Sequence, residues 1–256
     1  MNQTRNHTID PQEVATFNKL AQTWWDPSGP MRPLHQMNPA RLSFIRDEVC
    51  QHFQRDPRVE RPLTGLSLLD VGCGAGLLSE PLCRMGASVR GLDAAADVLN
   101  VARNHAAQQD LPIEYMESSI EDHAASGQQY DVITALEIVE HVADVSLFLN
   151  SCMQLLKPGG FIVLSTLNRT PQSYAVAIVG AEMILKWLPR GTHDWKKFIT
   201  PAELANHLRD CGLGPVNLRG MIYNLFNRRW HLSHRVDVNY LISAQKAAGA
   251  APTPEG

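Results

Sequence analysis

From Leu66 to Ala244, short apolar runs alternate with stretches whose apolar residues return every three or four positions. The runs read as buried strands and the 3.6-residue periodicity as helices packed over them. Strands are predicted at Ser67–Val71, Ser88–Leu92, Ile113–Met116, Tyr130–Thr134 and Phe161–Thr166, with helices at Gly76–Met85, Asp97–Gln109 and Val145–Leu156. Such alternation builds a parallel sheet with crossover helices. The third helix is expected to stop in a turn at Lys157-Pro-Gly-Gly160, where proline and glycine cannot continue it. A fourth helix, Pro201–Cys211, opens on the capping box Thr200-Pro-Ala-Glu203. Extended runs near Leu218–Asn224 and Val236–Ala244 finish the sheet. The predicted fold class is therefore α/β, a single doubly wound, mostly parallel, Rossmann-like sheet.

The first 60 residues carry a different pattern. Helices are expected at Pro11–Trp25 and Pro39–Phe53, separated by the turn Asp26-Pro-Ser-Gly-Pro30. The expected organisation is an N-terminal helical extension over residues 1–60 and an α/β domain over 61–246. That domain carries an apolar insertion at about 170–198, and an Ala/Gly/Pro-rich tail over 247–256 is expected to be disordered. Trp24 and Trp25, with Phe17 at helical spacing, are expected to pack the extension against the domain.

Composition narrows the function classes. With 23 basic against 26 acidic side chains and a net charge of −3, the chain lacks the basic excess of a nucleic-acid binder. Its five cysteines, Cys50, Cys73, Cys83, Cys152 and Cys211, are scattered with no C-x-x-C pair, so reduced thiols in a cytoplasmic protein are expected. Met1–Asp10 is polar and resembles neither a secretory signal nor a transit peptide. No apolar run approaches the roughly 20 residues of a transmembrane helix.

The chemistry begins at Leu68-Leu-Asp-Val-Gly-Cys-Gly-Ala-Gly-Leu77, a glycine-rich turn between the first strand and its helix. A dinucleotide fingerprint would place its third glycine where Leu77 stands; here the glycines are Gly72, Gly74 and Gly76. Asp70 adds negative charge where a pyrophosphate would sit and suits a ligand bearing an ammonium group. Asp93, at the end of the second strand, can accept both hydroxyls of a ribose and excludes a 2′-phosphate. The combination asks for a nucleoside with a cationic, unphosphorylated tail, which is the character of S-adenosylmethionine.

In order and spacing, Leu69–Gly76, Asp93, Tyr130-Asp131 and Leu156–Gly160 resemble the class I methyltransferases, which implies that the last strand runs antiparallel. More selective segments lie outside the loop: Ala21-Gln-Thr-Trp-Trp-Asp26, Pro33-Leu-His35, Asn38-Pro-Ala-Arg-Leu42, Glu137-Ile-Val-Glu-His141, Ser165-Thr-Leu-Asn-Arg169, Val179-Gly-Ala-Glu182, Gly191-Thr-His-Asp194 and Asp237-Val-Asn-Tyr240. These are similar to the ubiquinone-biosynthesis O-methyltransferases, from about Phe17 to Gln245. The resemblance implies S-adenosylmethionine contacts at Arg41, Gly72, Asp93 and Leu136, beside Asp70, Gly74 and Gly76 of the loop. It also implies a polyprenylated catechol or quinol substrate methylated on oxygen at two pathway steps, and association with other quinone-biosynthesis enzymes. A guanidinium at Arg41 can pair bidentately with the methionine carboxylate.

Glu137, Glu140 and His141 follow the fourth strand, outside whose carboxyl end ligands sit in such sheets. If the chain is helical from Ala135, their i, i+3, i+4 spacing shares one face and suits Mg²⁺ or Zn²⁺. The resemblance implies a divalent ion at the same three positions. The other reading is His141 as general base with no metal. Competing functions are a metal-dependent RNA 2′-O-methyltransferase and a silent nucleoside-binding scaffold. Finally, Tyr174–Leu188 is the most apolar stretch, with Glu182 and Lys186 on a polar stripe and Arg190, Lys196 and Lys197 beyond it. It reads either as an amphipathic helix lying on an anionic membrane, at the inner face of the cytoplasmic membrane, or as a lid or core helix.

Overall fold

The computed structural model describes residues 8–175 and 195–248. Eight strands form one sheet: β1 (Ser67–Val71), β2 (Ser88–Asp93), β3 (Glu114–Glu117), β4 (Tyr130–Leu136), β5 (Leu156–Leu167), β6 (Leu213–Asn224), β7 (Arg229–Ser233) and β8 (Asn239–Lys246). Their order is β3-β2-β1-β4-β5-β8-β6-β7. The first five are parallel; β8 runs antiparallel to β5, and β6 and β7 continue antiparallel to the edge. Helices α1 (Pro11–Leu20), α2 (Arg32–His52), α3 (Ser79–Arg84), α4 (Ala96–Gln108), α5 (Ile120–Ala124), α6 (Val145–Leu155) and α7 (Pro201–Asp210) surround it. Two apolar cores sandwich the sheet. One gathers Ile133, Phe148, Leu164, Leu204 and Tyr240; the other gathers Phe44, Val49, Leu68, Leu82 and Leu241. Strands wet on neither face need continuous apolar runs, and those runs made them legible.

Several boundaries differ from expectation. The second N-terminal helix starts at Arg32 and carries Pro39 inside it. Pro33 occupies the first turn, where a missing N–H costs nothing, and Asn38 Nδ2 donates to Leu77 O at 2.6 Å, holding this stretch against the glycine loop. The first helix ends at Leu20, followed by a 3-10 turn over Ala21–Thr23. Lys157-Pro-Gly-Gly160 lies inside β5, not in a turn, and the pairing with β4 shifts register there, between Tyr130 and Val132. α5 and β7 have no counterpart among the expected elements: α5 is little more than one helical turn, and β7 is exposed at three of its five positions and lacks the apolar run that marks β1.

The N-terminal extension packs onto the glycine loop. Trp24 is buried, and Trp25 Nε1 donates to Ala75 O at 3.0 Å while its ring stacks on His105 at 3.5 Å. The five cysteines are buried free thiols. No helix among the described residues is long and apolar enough to cross a membrane. Most of the apolar insertion, including Glu182, Lys186 and Arg190, and nearly all of the tail lie outside the described residues.

Candidate active site

A cavity of about 570 Å³ lies at the carboxyl ends of β1, β2 and β4, beneath the N-terminal extension. That volume suits a single small organic ligand or cofactor. Arg41, Asp70, Gly72, Gly74, Asp93, Leu136, Glu137, Glu140 and His141 all line it, so the fold brings together nearly every residue singled out from the sequence. Gly76 stands apart, outside the lining. Its φ of +88° places it in the left-handed region, and an added Cβ would come within 2.2 Å of Tyr115 Oη. Glycine there lets the loop close against that hydroxyl. Gly74 (φ +53°) has Trp24 so close that a Cβ would sit 2.5 Å from Cζ2.

One end of the cavity is lined by the glycine loop, two carboxylates and a guanidinium. Asp93 Oδ2 accepts the Gly74 N–H at 2.8 Å and Oδ1 the Ala95 N–H at 2.9 Å, which fixes the carboxylate at the mouth of the loop. Each oxygen keeps a lone pair for a ribose hydroxyl. Asp70 accepts from Ser79 Oγ at 2.6 Å and Thr134 Oγ1 at 2.8 Å. Burial pushes its carboxyl up to about 6 against those two hydrogen bonds. Arg41 is 4% exposed; its Nη2 lies 2.9 Å from Glu137 Oε1, and its Nε has no hydrogen-bond partner. A buried guanidinium with idle N–H donors beside a cavity is the expected receptor for a carboxylate.

The other end does not have the geometry its spacing suggested. β4 ends at Leu136, Glu137 takes a left-handed conformation (φ +54°), and only Val139–His141 forms a single 3-10 turn. The helix expected from Ala135 is absent because the Glu137 N–H is drawn back to Ser165 O at 3.0 Å. Each of the three side chains consequently takes a different partner. Glu137 accepts from Ser165 Oγ at 2.7 Å and pairs with Arg41. Glu140 Oε2 accepts from Thr166 Oγ1 at 2.7 Å. His141 Nδ1 lies 2.5 Å from Glu13 Oε2, a close ion pair short of aligned hydrogen-bond geometry. Among the described residues no three His, Cys, Asp or Glu side chains converge as metal ligands. The Mg²⁺ or Zn²⁺ site expected at Glu137, Glu140 and His141 is therefore not assembled by this arrangement.

What the arrangement offers is proton chemistry. Glu140 is 3% exposed, and its Oε1 has no hydrogen-bond partner, an idle acceptor on the cavity wall. Burial, then the charge of Glu137, raises its carboxyl above the usual range. Burial draws the His141 imidazole down, but the carboxylates of Glu13, Glu140 and Glu137 outweigh it and the net shift is upward. Glu13, on α1, was not among the expected site residues. Its one sequence signal was its place on the extension whose tryptophans pack on the glycine loop, and nothing local marks that placement. Phe17, on the same helix, stacks edge-on against the His141 ring at 5.9 Å.

The chain matches the methyltransferase domain model over residues 69–164. It is 50% identical over 246 residues to the ubiquinone biosynthesis O-methyltransferase of Methylobacterium nodulans, covering 96% of this chain and 99% of that one. The corresponding proteins of Cereibacter sphaeroides (strain ATCC 17025) and Ruegeria pomeroyi are 53% and 50% identical, covering 93% and 94% of this chain and 96% and 98% of theirs. Among solved structures it resembles the magnesium protoporphyrin IX methyltransferase of Synechocystis with bound SAH, at a TM-score of 0.61 and 19% identity, covering 92% and 99% of the two chains. The [4+2]-cyclase SpnF also matches, at a TM-score of 0.58 and 14% identity over 95% and 100%. The structural likenesses establish the fold of S-adenosylmethionine-dependent methyltransferases, and the cyclase shows that the fold alone does not fix a reaction.

Proposed function

This chain belongs to the ubiquinone biosynthesis O-methyltransferase family, and from that premise we propose how its residues carry the methyl group to the acceptor. S-adenosylmethionine occupies the Asp93 end of the cavity. Asp93 takes the ribose hydroxyls, Arg41 the methionine carboxylate, and Asp70 favours the cationic tail electrostatically. Gly72 and Gly74 let the backbone approach the ligand, and Leu136 covers an apolar face of it.

The acceptor is a polyprenylated catechol or quinol. A phenolic hydroxyl has a pKa of roughly 10, so little of the nucleophilic anion exists at neutral pH. His141 accepts that proton while Glu140 Oε1 accepts a hydrogen bond from the neighbouring hydroxyl. The phenolate oxygen then attacks the methyl carbon in line; the O–CH₃ bond forms, the S–CH₃ bond breaks, and the sulfonium becomes the neutral thioether of S-adenosylhomocysteine. Positioning supplies most of the acceleration, since two opposite charges are quenched and a dry pocket favours the step. A divalent ion at Glu137, Glu140 and His141 would need Arg41 and Glu13 to release their partners, and no step here uses one.

The observation that carries this reading is the Glu13–His141 pair beside the unpartnered Glu140 oxygen. Turnover of His141→Ala and Glu140→Ala on a polyprenyl catechol tests it. Losses of about 10²-fold or more are expected for the histidine; near-normal rates in both variants would remove this pair from the reaction. Family membership supports a catechol acceptor over an RNA one or a silent scaffold. A polyprenyl acceptor also favours a site of action at the inner face of the cytoplasmic membrane, reached through the apolar segment over 174–198, with association among quinone-biosynthesis enzymes. Flotation with anionic vesicles tests the segment: binding unchanged by Ile178→Glu with Leu185→Glu would return it to a lid or core role.

A further inference from the structure

Beyond the glycine loop and the Glu140–His141 turn, the cavity has a wall built from the antiparallel strands. Trp230 of β7 and Asn239, the first residue of β8, both line it. Both carry donors that the fold leaves largely unused. The Trp230 Nε1 is buried and has no hydrogen-bond partner among the described residues, whereas a buried indole N–H usually finds one. Asn239 is 4% exposed, and its Oδ1 accepts the Met221 N–H at 3.2 Å. A backbone N–H can only donate, so the carbonyl end of this amide is committed to β6 and the NH₂ end is what remains. That NH₂ meets the Met37 thioether at 3.9 Å, and a thioether is a weak acceptor.

The wall is continuous. Trp230 stands opposite Tyr223 in β6, two residues on from the Met221 whose N–H holds Asn239. Trp230, Met221 and Met37 pack in the same apolar core. Between them Trp230 and Asn239 hold three side-chain N–H groups, and the Met37 sulfur is the one acceptor any of them meets among the described residues.

This wall and Glu140 belong to different faces of the sheet. β5 and β8 pair Thr166 with Tyr240 and Leu167 with Asn239. Thr166 Oγ1 holds Glu140, and Tyr240 packs in the first core. Consecutive strand residues point to opposite faces, so Asn239 turns to the other core, as Leu241 does. The carboxylate thus borders the cavity from one side and the donors border it from the other. Asn239 and Trp230 also stand outside residues 69–164, the part matched by the methyltransferase domain model. A device specific to one acceptor belongs outside what the fold shares.

We propose that Asn239 Nδ2 and Trp230 Nε1 form a donor subsite for a ring oxygen of the acceptor other than the one methylated, so that an oxygen-rich quinol is favoured over a bare catechol. The inference rests on the reading of the cavity as the site of catechol and quinol O-methylation. Its chemistry complements that of Glu140: the carboxylate takes a hydroxyl, whereas an N–H takes any oxygen lone pair, a methoxy oxygen included. The two oxygens of a bare catechol are engaged at His141 and Glu140, which leaves the donors idle. A ring with further oxygens satisfies them on binding.

The test compares two truncated, water-soluble acceptors under anaerobic conditions: a methylcatechol, with two ring oxygens, and a methoxybenzenetriol, with four. Trp230→Phe keeps an aromatic ring and deletes the N–H. The preference for the triol, as the ratio of the two kcat/KM values, should fall about 2- to 13-fold, the span of one neutral hydrogen bond. Asn239→Asp keeps an acceptor for the Met221 N–H but sets an oxygen where the NH₂ stood, and should lower the ratio further. A second measurement needs no turnover. With S-adenosylhomocysteine bound, a fully substituted dimethoxydimethylbenzoquinone, whose oxygens only accept, should bind the wild type by calorimetry and bind Trp230→Phe about 2- to 13-fold more weakly. A ratio unmoved in both variants or shifted toward the triol, no quinone binding by the wild type, or equal binding to wild type and Trp230→Phe would overturn the proposal. A wild type that binds the quinone but methylates neither acceptor would instead overturn the functional reading.

Discussion

Replacing Glu13 by Gln keeps the shape of the side chain and removes its charge from His141. The two groups sit 2.5 Å apart with side-chain exposures of 24% and 12%, so little solvent screens them. An aligned hydrogen bond to a charged group contributes about 1.5–3 kcal/mol; this pair lacks that alignment, so about half of it, roughly 0.75–1.5 kcal/mol, orients the imidazole during proton transfer and kcat falls by about 4- to 13-fold. The pH profile carries the sharper signature. His141 must be neutral to accept a proton, and the carboxylates around it raise its affinity for one. Activity of the wild type should therefore rise with pH along a limb set by this histidine. Without Glu13 the imidazole loses its proton at lower pH, so the limb moves toward acid while the plateau drops. Stability moves with the same sign: a histidine whose pKa is raised by folding stabilises the fold fully below its unfolded value of 6.5 and loses that contribution as pH climbs through the folded value. The variant should be more destabilised at pH 6 than at pH 9. The assay is kcat against pH on a soluble catechol, with thermal unfolding at both pH values. A lower plateau with an unmoved limb would mean that Glu13 only packs α1 against the domain, and the orienting role would be refuted.

Asp93→Asn leaves one carbonyl oxygen to serve two backbone N–H groups and the ribose. S-adenosylmethionine affinity by calorimetry should weaken about 10- to 150-fold, from about 1.5–3 kcal/mol of charge-assisted hydrogen bonding. Gly76→Ala places a Cβ against the buried Tyr115 hydroxyl in a left-handed conformation; strain and overpacking together cost about 2–5 kcal/mol, read as a lowered Tm without cofactor. Asp70 is raised from 3.8 to about 6, so the fold holds its neutral form and loses stability as pH rises between those values. That span corresponds to about 3 kcal/mol. Relative to wild type, Asp70→Asn should therefore gain about that much between pH 4 and pH 7 in urea unfolding of the cofactor-free protein.

The parallel strands and the glycine loop were legible because their signals are local: apolar runs, and glycines where Ile138, Trp24 and Tyr115 press on the backbone. Asp70 and Asp93 could be read for the same reason, each standing at the end of a strand whose register the apolar pattern fixes. Glu137, Glu140 and His141 could be found but not arranged. Their spacing fits a helical face, and it took the pull of Ser165 on the Glu137 N–H, from a strand 28 residues away, to turn that stretch into a strained strand end. Glu13 was invisible for a related reason: its partner is distant in the chain, and an acidic residue in a first helical turn has an ordinary explanation. The edge strand β7 was missed because it alternates weakly, with a half-exposed tryptophan and exposed neighbours. Exposure along the strand erases the pattern.

The central claim is that the cavity joins a sulfonium donor to a catechol oxygen. It is tested most directly by incubating the protein with S-adenosylmethionine carrying a labelled methyl group and a polyprenyl catechol, then locating the label. The account predicts one labelled methyl on a ring oxygen for each S-adenosylhomocysteine formed. Label on a ring carbon, or no transfer from a cofactor that calorimetry shows to be bound, would contradict it.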